Sequence, residues 1–596
     1  MKAPHTMFWA CAGIMLVLGG GRGSVAATEA LPDGGEIMRA LADELTRSMN
    51  LQMEDLEKPY FIQYTVDDSV IFRLAASYGS ITSSDRRRSR DFRSRVRVGS
   101  YELDSTNFTG ETGGFGMFFG GGAGGGRASL PLEDDYSALR QAMWWATDQD
   151  YKDAVETLTK KRAYMRDKNL QDRPHDFSKT PVVETVEPTA RMDFDQGAWE
   201  QNLRRVSTAF RNHPRIQESS VQLYAVVGNT YIVNSEGTRL RFPETGALLM
   251  MSAELQAEDG MKISDSLSYF GKTPDDFPAV EKILGDIDQW VQRLTQSADS
   301  PILERYTGPV LFENLAAAQM FRTLIAEAIA GRVDPVGTQR ATLTGAGSLE
   351  KKLSQEILPD SFQISDDPSA SQAAGAQLIG HYRYDDEGVK GERVDLVSDG
   401  ALKTMVMSRA PTRKISGTNG HARRASGGVG VAEAAIGCLF VEDKKGISDE
   451  ALKSKLIELA RAEGLEYGLR VGALHSASLA SSQSDIISFF MRAQRRGGQE
   501  NVGDPIYIYK VHVADGHEEP VRGCEFGQVK LRDLRNIASA GKTLAAYNYI
   551  GLGFGGATPA TSIVAPAVLF AELELAKIEQ EHEKLPLLKA PLSRQP

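Results

Sequence analysis

Two histidines near the C-terminal end have the type and spacing of metal ligands. His512 and His517 flank the turn signal Asp515-Gly516, and Glu518 follows directly. Neutral imidazoles bind Zn²⁺, and a neighbouring carboxylate can act as general base for a metal-bound water. A hairpin could therefore bring the three side chains together as a peptidase site. The alternative is a solvated turn, which Asp-Gly pairs commonly form, and the sequence favours that alternative.

Other motifs with a known chemistry are incomplete. The segment from Gly551 to Gly556 matches the dinucleotide fingerprint GxGxxG, but prolines interrupt the helix that must follow it. Lys542 and Thr543 resemble the end of a phosphate loop, but the first glycine of that loop is absent. The serine-hydrolase motif GxSxG does not occur. These patterns therefore support neither nucleotide binding nor serine hydrolysis.

Arginines form the most basic segment of the chain, between residues 86 and 97. Arg93, Arg95 and Arg97 alternate with other residues, so on a β-strand they share one face. Three interpretations remain: a solvated or ion-paired face, a site for an anionic or carboxylate-bearing ligand, and a nucleic-acid surface. The ion-paired face is favoured, and these three arginines are the candidate anionic-ligand residues.

Composition excludes several classes of protein. Of 596 residues, 41% are hydrophobic and 25% are charged, as in a soluble globular protein. The formal net charge of −11 at pH 7 argues against nucleic acid as a partner, because such binding needs many lysines and arginines to neutralise phosphates. No later segment offers about 20 uninterrupted apolar residues, so we expect no stable membrane span in the mature chain.

The N-terminus has the pattern of an export signal over residues 1–27. Lys2 supplies positive charge, an apolar run extends from Phe8 to Leu18, and small residues lead to Ala26 and Ala27. We expect cleavage near Ala26 or Ala27 and a periplasmic or extracellular mature protein. An uncleaved anchor is the alternative.

Cleavage would leave Cys438 and Cys524 as the cysteines of the mature chain. Two thiols are too few for a disulfide framework or a four-thiolate zinc site. A single bridge in an oxidising compartment and two unpaired buried thiols both fit the sequence.

Helical periodicity occurs in five segments of the chain. These segments are 33–49, 134–166, 276–296, 315–330 and 448–464. Strand-like runs lie between them, and the helix at 276–296 marks the expected domain junction. Because strand blocks and helix blocks do not alternate regularly, the sequence predicts an α+β fold rather than a doubly wound α/β fold.

A meander of short strands is predicted over residues 221–242. Val221 to Val227 is the first β run, and Gly228 and Asn229 are interpreted as a tight turn. A second turn is expected at 235–237.

Residues 110–126 form a glycine-rich segment that also contains three phenylalanines. The conformational freedom of glycine predicts a loop, and the segment lacks the Gly-Lys-Ser/Thr ending of a phosphate cradle. A solvated linker is favoured over a lid that carries the aromatic side chains.

Six blocks in register resemble the TldD/PmbA family of metallopeptidases, also described as modulators of DNA gyrase. The blocks are Tyr231–Thr238, Tyr306–Phe312 with the helix that ends at Gly331, Asp386–Val389, Asp399–Lys403, Gly417–Arg424 and Ser562–Leu569. They cover nearly the whole mature chain in order. The resemblance implies a mixed α/β N-terminal domain over residues 28–300 and a β-rich C-terminal domain with antiparallel sheets over residues 301–596.

Catalytic members of this family carry the motif HExxxH on a helix before a glycine, and a later cysteine completes the metal shell. Counted back from Gly331, the histidine positions are Arg322 and Glu327, and the glutamate position is Thr323. Arginine is not a metal ligand, and threonine is a poor base. Cys524 is the candidate for the later cysteine, but its local sequence departs from the usual metal segment.

The resemblance therefore implies a PmbA-like branch without a metal of its own. We expect no cofactor in this chain, and zinc only where a partner subunit supplies it. The expected partners are a TldD-like subunit that carries HExxxH or a second copy of the chain, with a peptide as substrate. Whether the chain is an enzyme stays open, because it could be a metallopeptidase with an unrecognised site such as His512, His517 and Glu518. A non-enzymatic peptide-binding or assembly module is the other alternative.

Overall fold

The computed structural model describes residues 27–30, 34–109, 126–333, 335–337, 349–424, 431–475, 502–553 and 556–579. The expected export signal and the glycine-rich segment lie outside this part of the chain, apart from their last residues.

Six α-helices occur in the described residues. They are α1 (Gly35–Ser48), α2 (Tyr136–Asp167), α3 (Gln196–Thr208), α4 (Val280–Asp299), α5 (Asn314–Phe321) and α6 (Asp449–Ala462). Asp135, Asp195 and Ser448 begin α2, α3 and α6, because each side chain accepts a hydrogen bond from a backbone N–H of the first turn. Four of the five predicted helical segments thus correspond to α1, α2, α4 and α6, although α2 and α4 extend past the predicted ends to Asp167 and Asp299.

The described residues of the N-terminal half form nine strands. They are β1 (Ala27–Ala30), β2 (Pro59–Ser77), β3 (Ser80–Val98), β4 (Arg127–Ser129), β5 (Glu184–Val186), β6 (Arg191–Phe194), β7 (Glu218–Asn234), β8 (Arg239–Gln256) and β9 (Lys262–Gly271). Seven of them form one sheet in the order β4-β3-β2-β7-β8-β5, and β9 also pairs with β8. Strands β1 and β6 form a separate antiparallel pair.

All four helices of this half cover the same face of the seven-stranded sheet. Val70, Phe72 and Leu74 of β2 pack in one core with α3 and α4. Ile62, Tyr64 and Val66 of the same strand pack in a second core with α1 and α2. These residues alternate along β2, so the residues between them point to the opposite face, which is turned towards the C-terminal half.

The predicted turn at Gly228 and Asn229 is wrong, because β7 continues through both residues. Gly228 lies opposite Ser69 of β2, and a Cβ atom there would come within 3.0 Å of the Ser69 Cβ. The side-chain oxygen of Asn229 accepts a hydrogen bond of 2.8 Å from the backbone N–H of Ala190. Close packing and a side-chain contact, rather than a change of direction, therefore account for this pair.

The C-terminal half is dominated by strands. They are β10 (Arg305–Phe312), β11 (Ala330–Gly331), β12 (Phe362–Asp366), β13 (Gln372–Ala373), β14 (Ala376–Gln377), β15 (Val394–Ser398), β16 (Ala401–Leu402), β17 (Val406–Met407), β18 (Ala422–Arg423), β19 (Glu433–Ala434), β20 (Cys438–Asp443), β21 (Tyr467–Leu474), β22 (Pro505–His512), β23 (Glu518–Val521), β24 (Cys524–Phe526), β25 (Ile537–Tyr549), β26 (Leu552–Gly553), β27 (Gly556–Ala557) and β28 (Thr561–Lys577).

Eleven of these strands form the central sheet of the C-terminal half. Its order is β16-β15-β12-β20-β28-β10-β21-β22-β23, and β24 and β25 also pair with β28. Most neighbours are antiparallel, whereas β10 with β21 and β20 with β28 are parallel. The predicted α+β fold with a β-rich second half is thus confirmed.

The two helices of the C-terminal half lie on opposite faces of this sheet. The residues of α5 are buried in the main core with Val310 and Phe312 of β10. Leu452 and Leu456 of α6 pack instead against Leu311 of the same strand. The period-2 alternation of β10 thus separates two cores and places α5 on one face.

Both cysteines of the described chain are buried and unpaired. Cys438 lies at the start of β20 and Cys524 at the start of β24. Burial raises the pKa of Cys524 to about 12 and also raises that of Cys438. The structure thus shows two buried, unreactive thiols and no disulfide between Cys438 and Cys524.

None of the helices in the described ranges is both long enough and apolar enough to cross a membrane.

Candidate functional site

A cleft of about 870 Å³ lies between the two halves of the molecule. Residues of β8, the whole stretch from Ser264 to Phe270 of β9, and α4 form its N-terminal wall. The C-terminal wall comprises the start of α5, the ends of β21 and β22, and residues 546–550 at the end of β25. The cleft is lined by five tyrosines and by five charged side chains. Tyrosine combines an apolar ring with a hydroxyl, which suits contact with a polypeptide ligand.

Strand β9 presents a sheet edge to this cleft. It pairs with β8 on one side, and no strand of the described chain pairs with its other side. An edge strand offers unpaired backbone N–H and C=O groups, to which an extended peptide can add as a further strand. The ten residues of β9 are long enough for several such bonds.

Asp265 of β9 joins the two walls at the side of the cleft. One carboxylate oxygen, Oδ2, accepts hydrogen bonds from Trp290 Nε1 at 2.8 Å and from the Tyr507 hydroxyl at 2.6 Å. Trp290 belongs to α4, and Tyr507 belongs to β22 of the other half. Burial raises the pKa of Asp265, whereas these two donors lower it. The carboxylate therefore holds the edge strand at a set position relative to the C-terminal wall.

An ion-pair network stabilises the C-terminal wall. Arg470 of β21 pairs with Glu313 and donates from Nη2 to Glu518 at 2.6 Å. Its guanidinium also lies 4.3 Å from the centroid of the Tyr509 ring. Lys453 donates to the other oxygen of Glu518 at 2.6 Å. Burial opposes the charge of Arg470, but its carboxylate partners outweigh that effect and raise its pKa.

The predicted helix over 315–330 is α-helical only as far as Phe321. Residues Arg322–Ala326 continue it as a π turn, and the chain then enters β11 at Ala330. In a π turn the backbone bonds span five residues, so side chains five apart lie over one another, and such turns are frequent at functional sites. The spacing of Arg322 and Glu327 is five. The turn therefore has the geometry that two ligands at HExxxH spacing would need.

The side chains at these positions do not fit a metal. The guanidinium of Arg322 lies 4.1 Å from the centroid of the Tyr549 ring, at the cleft wall. The Thr323 hydroxyl donates to the backbone oxygen of Gln319 at 3.1 Å, and Glu327 accepts from Arg332 at 3.2 Å. One carboxylate engaged by an arginine cannot replace two imidazoles and a base.

The other candidate metal ligands do not form a complete ligand set either. Within the described ranges, no group of three or more His, Cys, Asp or Glu side chains could hold a metal ion. The rings of His512 and His517 do lie together, with centroids 6.0 Å apart, and His512 Nε2 lies 3.2 Å from Glu519. Glu518 alternates to the other face of β23, where Lys453 and Arg470 hold it. Cys524 is buried in the main core.

The arginine face of β3 lies between the two halves of the molecule. Arg93 pairs with Asp67, and Arg97 donates to Asp104 at 2.7 Å. Across the interface, Gln63 donates from its side chain to the backbone oxygen of Asp386 at 2.9 Å. The segment that contains Asp386 thus covers this end of the sheet.

The electrostatics of these arginines follow from that burial. Burial, and then the neighbouring Arg424, lower the pKa of Arg93. Burial, and then Arg97, lower the pKa of Arg95, whereas Glu387 of the C-terminal half raises it. Burial opposes the charge of Arg97, but Asp104 outweighs it and the pKa is raised. Internal carboxylates thus pair with Arg93 and Arg97, where an anionic ligand would otherwise bind.

The residues that shape the cleft carry no signal in the sequence. Asp265, Trp290, Arg293 and Tyr507 come from three elements and match no spacing motif. The single available hint was the alternation of Ser264, Ser266 and Ser268 in a strand-like run, which marks a half-exposed strand but not its position at an edge.

Comparison with known proteins links this architecture to one family. Residues 305–464 match the model described as the PmbA/TldA metallopeptidase C-terminal domain. A protein of Archaeoglobus fulgidus named Metalloprotease is 32% identical over 111 residues, which are 19% of this chain and 24% of that protein. Another, of Methanothermobacter thermautotrophicus and with the same name, is 24% identical over 349 residues, 57% of this chain and 65% of that protein. The matches thus span less than two thirds of either relative.

Solved structures share the fold over most of the chain. A protein of Thermotoga maritima described as a proposed modulator of a DNA gyrase has a TM-score of 0.53 at 15% identity, covering 87% of this chain and 96% of its own. TldE from Thermococcus kodakarensis has a TM-score of 0.53 at 13% identity, covering 91% of this chain and 100% of its own. At such identities the likeness establishes the fold alone.

Proposed function

This chain belongs to the TldD/PmbA family, and we propose that within it the chain is an exported, metal-free subunit that holds an extended peptide for cleavage by an HExxxH-bearing partner. The observation that carries the proposal is the free edge of β9 along a cleft whose opposite wall includes Tyr549. Arg322, at the position that matches a metal ligand in the family motif, lies against the ring of Tyr549. A chain without a metal of its own can still bind and position a peptide. Cleavage then needs a second chain.

The geometry of the cleft supports binding of a peptide backbone. A strand added to β9 would pair its N–H and C=O groups with the edge and would pack its side chains against tyrosines of both walls. Backbone pairing of this kind is tolerant of sequence, as suits a subunit that handles unfolded segments.

Export and partnership are the remaining parts of the proposal. The charged start, the apolar run and the small residues before Ala27 support cleavage of a signal and a periplasmic or extracellular location. A TldD-like chain would supply the zinc, because the site of this chain does not. A second copy of this chain is the alternative partner.

Two experiments test the proposal. Residues 28–596 would be purified and mixed with each HExxxH relative encoded in the same genome, and complexes would be detected by light scattering after size-exclusion chromatography. Peptide cleavage should require the mixture and should stop with a chelator. A chain that forms no complex with any relative, or that cleaves peptides alone, would contradict the proposal.

Edge pairing can be tested from the ligand side. A fluorescent peptide with N-methyl groups at alternate backbone positions keeps its side chains but loses half of its donors. We expect it to bind about tenfold more weakly than the unmethylated peptide, because several backbone hydrogen bonds are lost. Equal affinity would show that the edge of β9 is not used.

A further inference from the structure

We infer that the cleft selects peptides that carry carboxylate side chains, and that Arg293 is the residue that reads them. This inference rests on the proposed function, because it names the class of peptide that the same cleft takes. Its basis is that the carboxylates lining the cleft are bound by donors of the protein itself, whereas the guanidinium group of Arg293 has no carboxylate partner in the described chain.

The three carboxylates that line the cleft are engaged by donors of the protein itself. Asp265 accepts from Trp290 and Tyr507. Asp276 accepts from the backbone N–H groups of residues 272 and 273 at 2.7 and 2.9 Å. Glu313 pairs with Arg470. A basic peptide side chain would have to compete with these internal partners.

Arg293 is in the opposite situation. It is exposed on α4, lines the cleft, and has its guanidinium 5.4 Å from the centroid of the Tyr507 ring. Among the described residues, no carboxylate lies within ion-pair distance of it. A guanidinium beside an aromatic wall in a partly enclosed cleft is a good partner for a peptide carboxylate.

The direction of β9 places this arginine beside one set of peptide side chains. Residues of a strand alternate between the two faces of its sheet. On β9, Asp265 points to the helix face, where it meets Trp290 of α4, and Ser266 points to the opposite face. A strand added to β9 would therefore turn every second side chain towards the α4 side and Arg293.

Two further cations, Arg73 and Arg87, lie on the sheet face that also carries Leu248 and Phe270 of the cleft. Arg73 of β2 belongs to a row of cross-strand partners, in which each residue lies directly opposite the next. From Arg73 the row continues through Tyr224 and Leu248 to Phe270 of β9. Leu248 and Phe270 line the cleft.

The charge along this row favours an acidic peptide. Arg87 of β3 lies one row further, opposite Ile71, and both Arg73 and Arg87 are exposed without a carboxylate in ion-pair distance in the described chain. Asp85 is the cross-strand neighbour of Arg73 and is the one acidic group on the row. In a chain with a net charge of −11, this local excess of positive charge would steer acidic segments to the cleft.

The test uses short fluorescent peptides in which valine alternates with glutamate, glutamine or lysine. We expect the mature chain to bind the glutamate peptide about tenfold more tightly than the glutamine peptide and to bind the lysine peptide most weakly. Arg293→Gln should reduce the ratio of the affinities for the glutamate and glutamine peptides from about ten to about one. The double variant Arg73→Gln with Arg87→Gln should slow association of the glutamate peptide and reduce its dependence on salt.

Arg86→Gln is the matched control. Arg86 lies on β3 next to Arg87, and its substitution by glutamine removes one positive charge, as Arg293→Gln does. Its side chain points to the other face of the sheet from Arg87, near Phe72. If Arg86→Gln weakens glutamate binding as much as Arg293→Gln, or if glutamate and glutamine peptides bind equally, the inference is wrong although the proposed function stands. If none of the three peptides binds, the proposed function and the inference fail together.

Discussion

Arg322 stacks on Tyr549, with the guanidinium carbon 4.1 Å from the ring centroid. The contact joins the π turn after α5 to the end of β25 at the wall of the cleft. A cation–π contact of this kind contributes about 1 kcal/mol. Arg322 therefore has a packing role in this chain.

Metal content gives the first prediction. We expect purified residues 28–596 to retain substoichiometric zinc after dialysis, because Arg322, Thr323 and Glu327 cannot form a zinc shell. Metal content would be measured by mass spectrometry, and peptide binding would be measured with and without a chelator. Stoichiometric zinc that is lost in a Glu327→Gln variant would contradict this expectation.

The second prediction concerns Tyr507, whose hydroxyl donates to Asp265 across the cleft at 2.6 Å. In Tyr507→Phe, Asp265 keeps Trp290 as a donor but loses its bond to the C-terminal wall. We expect stability to fall by about 1 kcal/mol and the affinity for extended peptides to fall severalfold. Urea unfolding and peptide titration measure the two effects.

Tyr509→Phe is the control for this variant, because it removes a hydroxyl from the same strand and keeps the ring against Arg470. Equal losses in both variants would show that the bond to Asp265 has no special part in positioning β9.

The third prediction concerns the interface that the arginine face helps to form. Two guanidinium groups contact the ring of Phe177, those of Arg97 at 3.6 Å and Arg409 at 3.9 Å from its centroid. Phe177→Leu removes both cation–π contacts and leaves a small void, so we expect a loss of about 2 kcal/mol. Urea unfolding measures the loss.

Because Arg409 belongs to the C-terminal half, limited proteolysis between the halves should also become faster in Phe177→Leu. Phe108→Leu serves as comparison, since Phe108 is partly exposed and has an edge contact with Tyr164. If Phe177→Leu is as stable as Phe108→Leu, the contacts of Phe177 with Arg97 and Arg409 do not stabilise the interface as expected.

The fourth prediction is a pH dependence that originates at Asp150. This buried residue of α2 accepts from the Val96 N–H at 2.7 Å and from the Ser94 hydroxyl at 3.0 Å. Burial raises its pKa to about 6 despite these donors. The folded pKa lies above the unfolded value of about 3.9. The contribution of Asp150 to stability is therefore fully present below about pH 4 and is lost as the pH rises through about 6.

Over that range the loss amounts to about 3 kcal/mol. Asp150→Asn should remove this component, because asparagine does not titrate. The unfolding free energy of the variant minus that of the wild type should therefore increase from about pH 4 to about pH 6 and then stay constant. Asp148→Asn, on the same helix and paired with Lys152, is the control. A flat difference for Asp150→Asn would contradict the assignment.

Local rules were sufficient for several elements of the secondary structure. Ser448 was expected to cap a helix and does cap α6, and the apolar stripe at 280–294 packs in the core as α4. Such features depend on neighbours within a few residues, so the sequence displays them directly. The alternation of Arg93, Arg95 and Arg97 on one face was predicted on the same basis.

Local rules failed where a distant segment decided the outcome. Gly228 and Asn229 have the composition of a turn, but the neighbouring β2 and the loop before β6 keep them in a strand. The helix after Asn314 was predicted to run to residue 330, whereas a π turn interrupts it at Arg322.

By itself the sequence determined the α+β class and the type of several elements, because both follow from short patterns. Tertiary structure alone decided that β9 is an edge strand, that Asp265 meets Tyr507 from the other half, and that Arg293 stays without a carboxylate partner in the described chain. Those relationships join residues more than 200 positions apart in places, and the packing of two separate sheets creates them, so no spacing along the chain encodes them.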